Sequence, residues 1–165
     1  MTRLLGIDLG ERRVGLALAD DDGSAAQPLT TLRRGRDLDA DAAALRTVIE
    51  SRTVDELIVG LPLEAAGTEG PQAALTRTWA DAMAVRLGIP VAFRDERLSS
   101  HLAETRLGPM KRGRSGGPPS KTQRDAYRAR VDREAAAIIL QDELDTRAGR
   151  RSSMPRPPDP QENHR

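Results

Sequence analysis

Residues 4–18 read LLGIDLGERRVGLAL, and the reading of this stretch decides the fold. Leu4 to Leu9 is a short, nearly all-apolar run, and Val14 to Ala19 is a second. Gly10 to Arg13 between them makes a tight turn, so the pair predicts a β-hairpin, with Gly10 expected to supply a positive φ. Alternation along the first strand puts Leu4, Gly6 and Asp8 on one face and Leu5, Ile7 and Leu9 on the other. A carboxylate inside an apolar strand is costly unless a cation, a metal or several N–H donors meet it. Asp8 therefore either has such a partner or caps the turn at Gly10.

Working outward, DDDGS (20–24) is another turn, and a weaker strand lies within Gln27 to Leu32. Asp37 to Ser51 reads as a helix, with Leu38, Ala42, Leu45 and Ile49 at helical spacing. VDELIVG (54–60) is a strand that runs into a loop ending in a helix, capped near Thr68 or Glu69 and carrying Pro71 in its first turn. That helix stops at Gly88, with Pro90 beyond. Val91 to Arg94 is a fifth strand, Ser99 or Ser100 to Leu107 a short helix, and Thr122 to Asp145 a last one. The Gly/Pro-rich, basic stretch 108–124 reads as a mobile loop. A hairpin start followed by strand–helix alternation implies one α/β domain: a mixed five-stranded sheet with helices on its faces. The domain is expected over residues 1–148, with 149–165, Pro-rich and without periodicity, as a disordered tail.

With 26 basic and 25 acidic residues among 165, the net charge is +1. Any nucleic-acid-binding surface must therefore be local. The absence of cysteine excludes disulfides, thiolate metal sites and Cys nucleophiles. Together with the lack of a signal peptide or membrane-spanning run, it leads us to expect a cytoplasmic protein without a membrane partner. One Phe, one Trp and one Tyr are too few for a base-stacking platform. Trp79 and Met83, four apart on a helix, read as core.

Two further acids stand in unusual places. In FRDERLSS (93–100), alternation puts Asp95 with Phe93 and Glu96 with Arg94, so only one of the two faces the side of Asp8. The alternative is a solvated charge run before a helix capped by serine. In RVDREAAAIIL (130–140), Asp132 sits at the rim of a stripe formed by Tyr127, Val131, Ala135, Ile138 and Ile139. Its alternative role is a surface pair with Arg128, one turn back. If the last helix packs near the end of the first strand, Asp8, Glu96 and Asp132 converge. Crowded carboxylates need a divalent cation, and an all-oxygen set suits Mg²⁺ or Mn²⁺.

At these residues the chain resembles the bacterial YqgF/RuvX family of Holliday-junction-resolvase-like pre-16S rRNA nucleases. The resemblance rests on GIDLGERRVGLA (6–17), DELIVGLPLEAAGTEGP (55–71), FRDERLSS (93–100) and RVDREAAAIIL (130–140), in the family's order and spacing. It implies an RNase H-like fold and a divalent-metal-dependent nuclease that matures the 5′ end of 16S rRNA, with branched DNA as a further substrate. It makes Asp8, Glu96 and Asp132 the metal-binding catalytic acids, Asp95 being the alternative to Glu96, and sets Arg97 and Ser99 beside the second acid. Ser100 departs from the family's frequent Thr. The long Gly/Pro-rich stretch before the last helix cannot be aligned with it.

The basic residues near these acids are candidate phosphate contacts: Arg12 and Arg13 in the hairpin turn, Arg97, and Lys111, Arg112, Arg114 and Lys121 in the loop. Each is equally a solvated surface residue. The competing function is a non-catalytic nucleic-acid-binding ribosome-assembly factor that keeps the fold, and the chain is a monomer or a homodimer. Actin-like ATPases and sugar kinases share GIDLG, but they need two such domains.

Overall fold

The computed structural model describes residues 1–96 and 99–153. Five strands form one sheet: β1 (Arg3–Leu9), β2 (Arg13–Asp20), β3 (Gln27–Arg33), β4 (Glu56–Leu61) and β5 (Val91–Asp95), in the order β3-β2-β1-β4-β5. The hairpin pairs β1 antiparallel to β2, and β2 to β3. β4 and β5 join parallel to β1 and to each other. Such parallel neighbours require crossover helices, here α1 (Leu38–Arg52) and α2 (Pro71–Leu87). α3 (Ser99–Leu107) and α4 (Lys121–Ser153) follow.

The two sheet faces differ in bulk. Leu5, Ile7, Val14, Leu16, Leu57 and Val59 point to one side and form the larger core with Leu45, Trp79 and Met83 from α1 and α2. The other side carries Leu4, Ala17, Ala19 and Ile58 against Ala136, Ala137, Ile139 and Leu140 of α4. Gly6 and Gly15 lie on this thinner side, where α4 comes down almost onto the strand backbone. A β-carbon on Gly6 would stand 2.8 Å from the Ala136 carbonyl oxygen. One on Gly15 would stand 2.8 Å from the Arg133 nitrogen and would run into the Asp132 carbonyl. α3 packs on the outer flank of α4 through Ala103, Val131 and Ala135.

Local signals account for most element ends. Asp37 caps α1 by accepting from the Ala40 N–H at 2.8 Å. Gly88 ends α2 in the left-handed region at φ 63°. Ser120 and Gln123 form a reciprocal capping box at the start of α4, the Ser120 N–H donating to Gln123 Oε1 at 2.8 Å and the Gln123 N–H to Ser120 Oγ at 3.2 Å.

Four expectations change. Gly10 keeps a negative φ, and its N–H closes the turn on the Arg13 carbonyl at 2.8 Å; what favours glycine is that a β-carbon would press on that same oxygen. The cap of α2 is Gly70, without a side-chain bond, not Thr68 or Glu69. The basic loop folds on itself through the Gly113 N–H to Gly117 carbonyl bond, and Tyr127 Oη ties its start to the Gly108 carbonyl at 2.8 Å. α4 continues to Ser153, so residues 149–153, expected in the tail, are helical. The rest of that tail, 154–165, lies outside the described residues. Among the described residues no helix is long and apolar enough to cross a membrane.

The close approach of α4 sets a contrast between two glycines. Gly15→Ala is expected to cost about 3 kcal/mol, because both opposing groups are backbone and cannot rotate away. Gly149→Ala, in α4 with nothing near the added carbon, is expected to gain up to about 1 kcal/mol from helix propensity. Urea unfolding of the two variants checks both; equal midpoints would refute the packing argument.

Candidate active site

Asp8 lies on the α4 side of β1, directly opposite Gly15 of β2. Asp132 sits over that same glycine, so one bare position sets the helical acid beside the strand acid. On β5, Ala92 and Arg94 pair with Ile58 and Gly60. Glu96 is next on that side, and its carboxyl carbon would stand 2.9 Å from a β-carbon on Gly60. The acid that shares the face of Asp8 is thus Glu96. Asp95 pairs with Leu61 and is exposed. Ser99, itself buried, fixes the strand end by donating its N–H and Oγ to the Glu96 carbonyl at 3.1 and 3.0 Å.

Asp8 and Glu96 meet. Asp8 is only 9% exposed, and the Glu96 carboxyl is its near neighbour, each shifting the other's ionisation. That contact requires a shared proton. Burial raises the pKa of Asp8 to about 6, the hydrogen bond from Glu96 offsets this in part, and the nearby charge of Asp132 raises it further. Burial drives Glu96 still higher, to about 9, with the charge of Asp8, its hydrogen bond and the charge of Asp95 adding to it. Glu96 Oε2 is buried without a hydrogen-bond partner among the described residues.

Asp132 joins this pair only through its field. Its Oδ2 accepts from Arg13 Nε at 2.7 Å, an ion pair linking α4 to β2, not the pair with Arg128 on its own helix. Among the described residues no three acidic or histidine side chains stand in ready ligating positions, so the expected three-carboxylate cluster is two acids in contact and a third tied back. The arginine on the Glu96 side of β5 does not neutralise them. Arg94 bonds Asp142 at 3.0 Å and approaches Glu143 at 3.6 Å. Two acids, a buried oxygen lacking a donor among the described residues and an Arg94 committed elsewhere fit a hard divalent cation bound by oxygen.

Of the expected phosphate contacts, Arg12, Lys111, Arg112, Arg114 and Lys121 are exposed. Arg97 lies outside the described residues. Arg13 is held by Asp132. The 108–120 loop leads into α4, whose first residue, Lys121, lines a groove with Arg12 and Arg13. Trp79 and Met83 are core, and Trp79 Nε1 donates to the buried Asp41 at 3.0 Å. Sequence reading missed Asp41, which also accepts from Arg34 Nε at 3.0 Å and from the Gly35 N–H at 2.6 Å; its only sequence signal is an acid beside the apolar stripe of α1.

A mixed sheet ordered 3-2-1-4-5, helices on both faces and acids at one edge of the α4 side define an RNase H-like protein. The Thermus thermophilus RuvC structure superposes with a TM-score of 0.51 over 90% of this chain and 97% of that one, at 15% identity. RuvC from the same organism in complex with a Holliday junction substrate gives 0.50 over the same shares, at 16%. The family model described as "RuvX: Holliday junction resolvase" matches residues 2–146, and the chain belongs to that family. A relative from Anaeromyxobacter dehalogenans, bearing the name "Putative pre-16S rRNA nuclease", is 45% identical over 146 residues, 88% of this chain and 98% of its own. One of the same name from Chloroflexus aurantiacus is 40% identical over 144 residues, 87% of each chain.

The raised acids make stability depend on pH in a stated direction. The folded chain keeps protons that the unfolded chain has lost, so it binds more protons above the ordinary carboxylate range, and stability falls as pH rises. The fall runs through about 6 for Asp8 and about 9 for Glu96. In chelator, urea unfolding should weaken by on the order of 1 kcal/mol per pH unit between about pH 5 and 8, and Glu96→Gln should flatten the slope. A wild-type midpoint constant across that range contradicts the shared proton.

Proposed function

We propose that the chain is a divalent-metal-dependent nuclease that hydrolyses phosphodiester bonds in maturing the 5′ end of pre-16S rRNA, with branched DNA as a further substrate, acting in the cytoplasm through residues 1–148. The observation that carries the reading is the buried Asp8–Glu96 pair with the unpartnered Oε2 of Glu96. The names of the relatives and the family model support the substrate class.

Asp8 and Glu96 would hold Mg²⁺ or Mn²⁺, with Asp132 as the third ligand. The bound ion supplies an activated water and stabilises the charge that develops at phosphorus. Holding such an ion would require Asp8 and Glu96 to be ionised, their proton released to solvent. Arg13 orients Asp132 from the β2 side, and Ser99 keeps Glu96 at the end of β5. Arg12, Arg97, Lys111, Arg112, Arg114 and Lys121 contact the sugar–phosphate backbone, placing the substrate without reading its sequence.

The test is cleavage of a 5′-extended rRNA fragment with Mg²⁺ or Mn²⁺ by wild type and Asp8→Asn. We expect metal-dependent cutting that falls by on the order of 10³-fold in the variant, about 4 kcal/mol of barrier. Equal cutting by Asp8→Asn removes the assigned site. Binding without cutting under either metal selects the non-catalytic assembly-factor reading.

A further inference from the structure

The β2–β3 side of the molecule holds a groove of about 650 Å³ that the acids do not line. Its walls carry Arg12, Arg13, Arg33, Arg34 and Lys121, against the carboxylates of Glu11 and Asp125. Arg13 and Arg33 stand directly opposite each other across the β2–β3 ladder, where like charges destabilise a sheet. The Arg34 N–H bonds the Arg12 carbonyl at 2.8 Å, bringing the other two arginines together as well.

The five cations divide by role. Arg13 is tied to Asp132, and Arg34 to Asp41 and to the Gly10 carbonyl at 3.0 Å. These two brace the walls. Arg12, Arg33 and Lys121 are exposed and form no side-chain hydrogen bond or ion pair among the described residues. A cluster that breaks a local rule of the sheet and leaves three cations unpaired is suited to a polyanion, which removes the repulsion on binding.

We propose that this groove extends the nucleic-acid track beyond the residues already assigned to it, holding the sugar–phosphate backbone of the strand as it runs from the acids past the β1–β2 turn to the β3 edge. The inference rests on the nuclease reading and deepens it. α4 gives the track its length. Lys121, Asp125 and Ala129 line the groove one helical turn apart, and Asp132 follows on the same flank. From Lys121 to Asp132 the helix rises about 16 Å, which is about five nucleotides of one strand in a duplex. Arg33, absent from the sequence-level candidates, is the residue that distinguishes this track from the hairpin turn alone.

The experiment is fluorescence anisotropy of labelled structured RNA, and of a branched DNA, in chelator so that nothing is cut. It compares wild type, the triple variant Arg12→Gln/Arg33→Gln/Lys121→Gln, the single variant Arg33→Gln, and Arg150→Gln at the far end of α4. Bis(p-nitrophenyl) phosphate hydrolysis with Mn²⁺ serves as a readout too small to reach the groove. We expect the triple variant to bind on the order of 10-fold more weakly, its log–log salt slope to shrink by about 2, and Arg33→Gln to lose about a third of that slope change. Arg150→Gln should match wild type both in binding and in the small-substrate rate. Unchanged affinity and slope in a folded triple variant, verified by circular dichroism, overturn the groove and leave the nuclease reading standing. Failure of wild type to bind either nucleic acid overturns both. A stronger loss for one of the two identifies which backbone the groove takes.

Discussion

The structure depends on how closely α4 lies on the sheet. Gly6 and Gly15 put no side chain between strand and helix, so α4 rests on backbone, whereas Leu5, Ile7, Leu16 and Val59 hold α1 and α2 at side-chain distance on the other face. The thin layer is apolar only over its middle, from Leu4 and Ile58 to Ala136 and Leu140. At its margin, helix backbone, strand backbone and a carboxylate occupy the same few ångströms. Asp8 and Glu96 are buried there because a larger residue on the sheet would have lifted the helix and let water in. The geometry of the acids is thus a consequence of packing, and the packing is written in three glycines, with Gly60 beneath Glu96.

That burial is unfavourable in isolation. The common remedy for a buried acid is a nearby arginine, and the chain is rich in arginine, yet Arg94 and Arg147 serve Asp142, Glu143 and Glu56 instead. The pair keeps a proton as the next best arrangement. Among the described residues, an acid pair left protonated with one oxygen unmatched is a departure from local consistency, which is where function is expected. Asp132 is held by Arg13 within the electric reach of Asp8, near enough to raise its pKa and not so near as to complete a cluster.

The hairpin, the mixed sheet and the face of Asp8 were legible because period-2 alternation fixes which side chains share a side, and that rule alone left just one of Asp95 and Glu96 for the acid face. Helix ends marked by Pro71 and Gly88 were legible as end signals, whereas the capping role of Asp37 emerged only in the fold. The extension of α4 past Gly149 was not legible. The Pro-rich stretch from Gly149, without periodicity, read as a tail, while in the fold Arg147 grips Glu56 and Glu143, and Arg151 reaches the Asp21 carbonyl at 3.3 Å. The reduction of the three-acid cluster to a pair was also hidden, because it turns on Arg13 meeting a residue far along the chain. Asp41 was hidden for the same reason: its partners Arg34, Gly35 and Trp79 come together only in three dimensions.

Near-neutral overall charge has a physical consequence for any polyanionic partner. With 26 basic and 25 acidic residues, the chain has no general field to gather nucleic acid, and its acids repel phosphate in the absence of a cation. Attraction must come from cations kept free of the abundant carboxylates and placed beside the acids without neutralising them. The fold separates the two tasks along α4. One stretch of the helix carries Asp132 over Gly15, next to Asp8; the turns before it carry Lys121 and Ala129 along the arginine-lined groove. Arg13 stands at the boundary, its guanidinium on the acid and its strand neighbour Arg33 in the groove. Proximity without mutual cancellation is what an acid site needs if it is to act on a phosphodiester, and a rigid helix spanning both regions provides it.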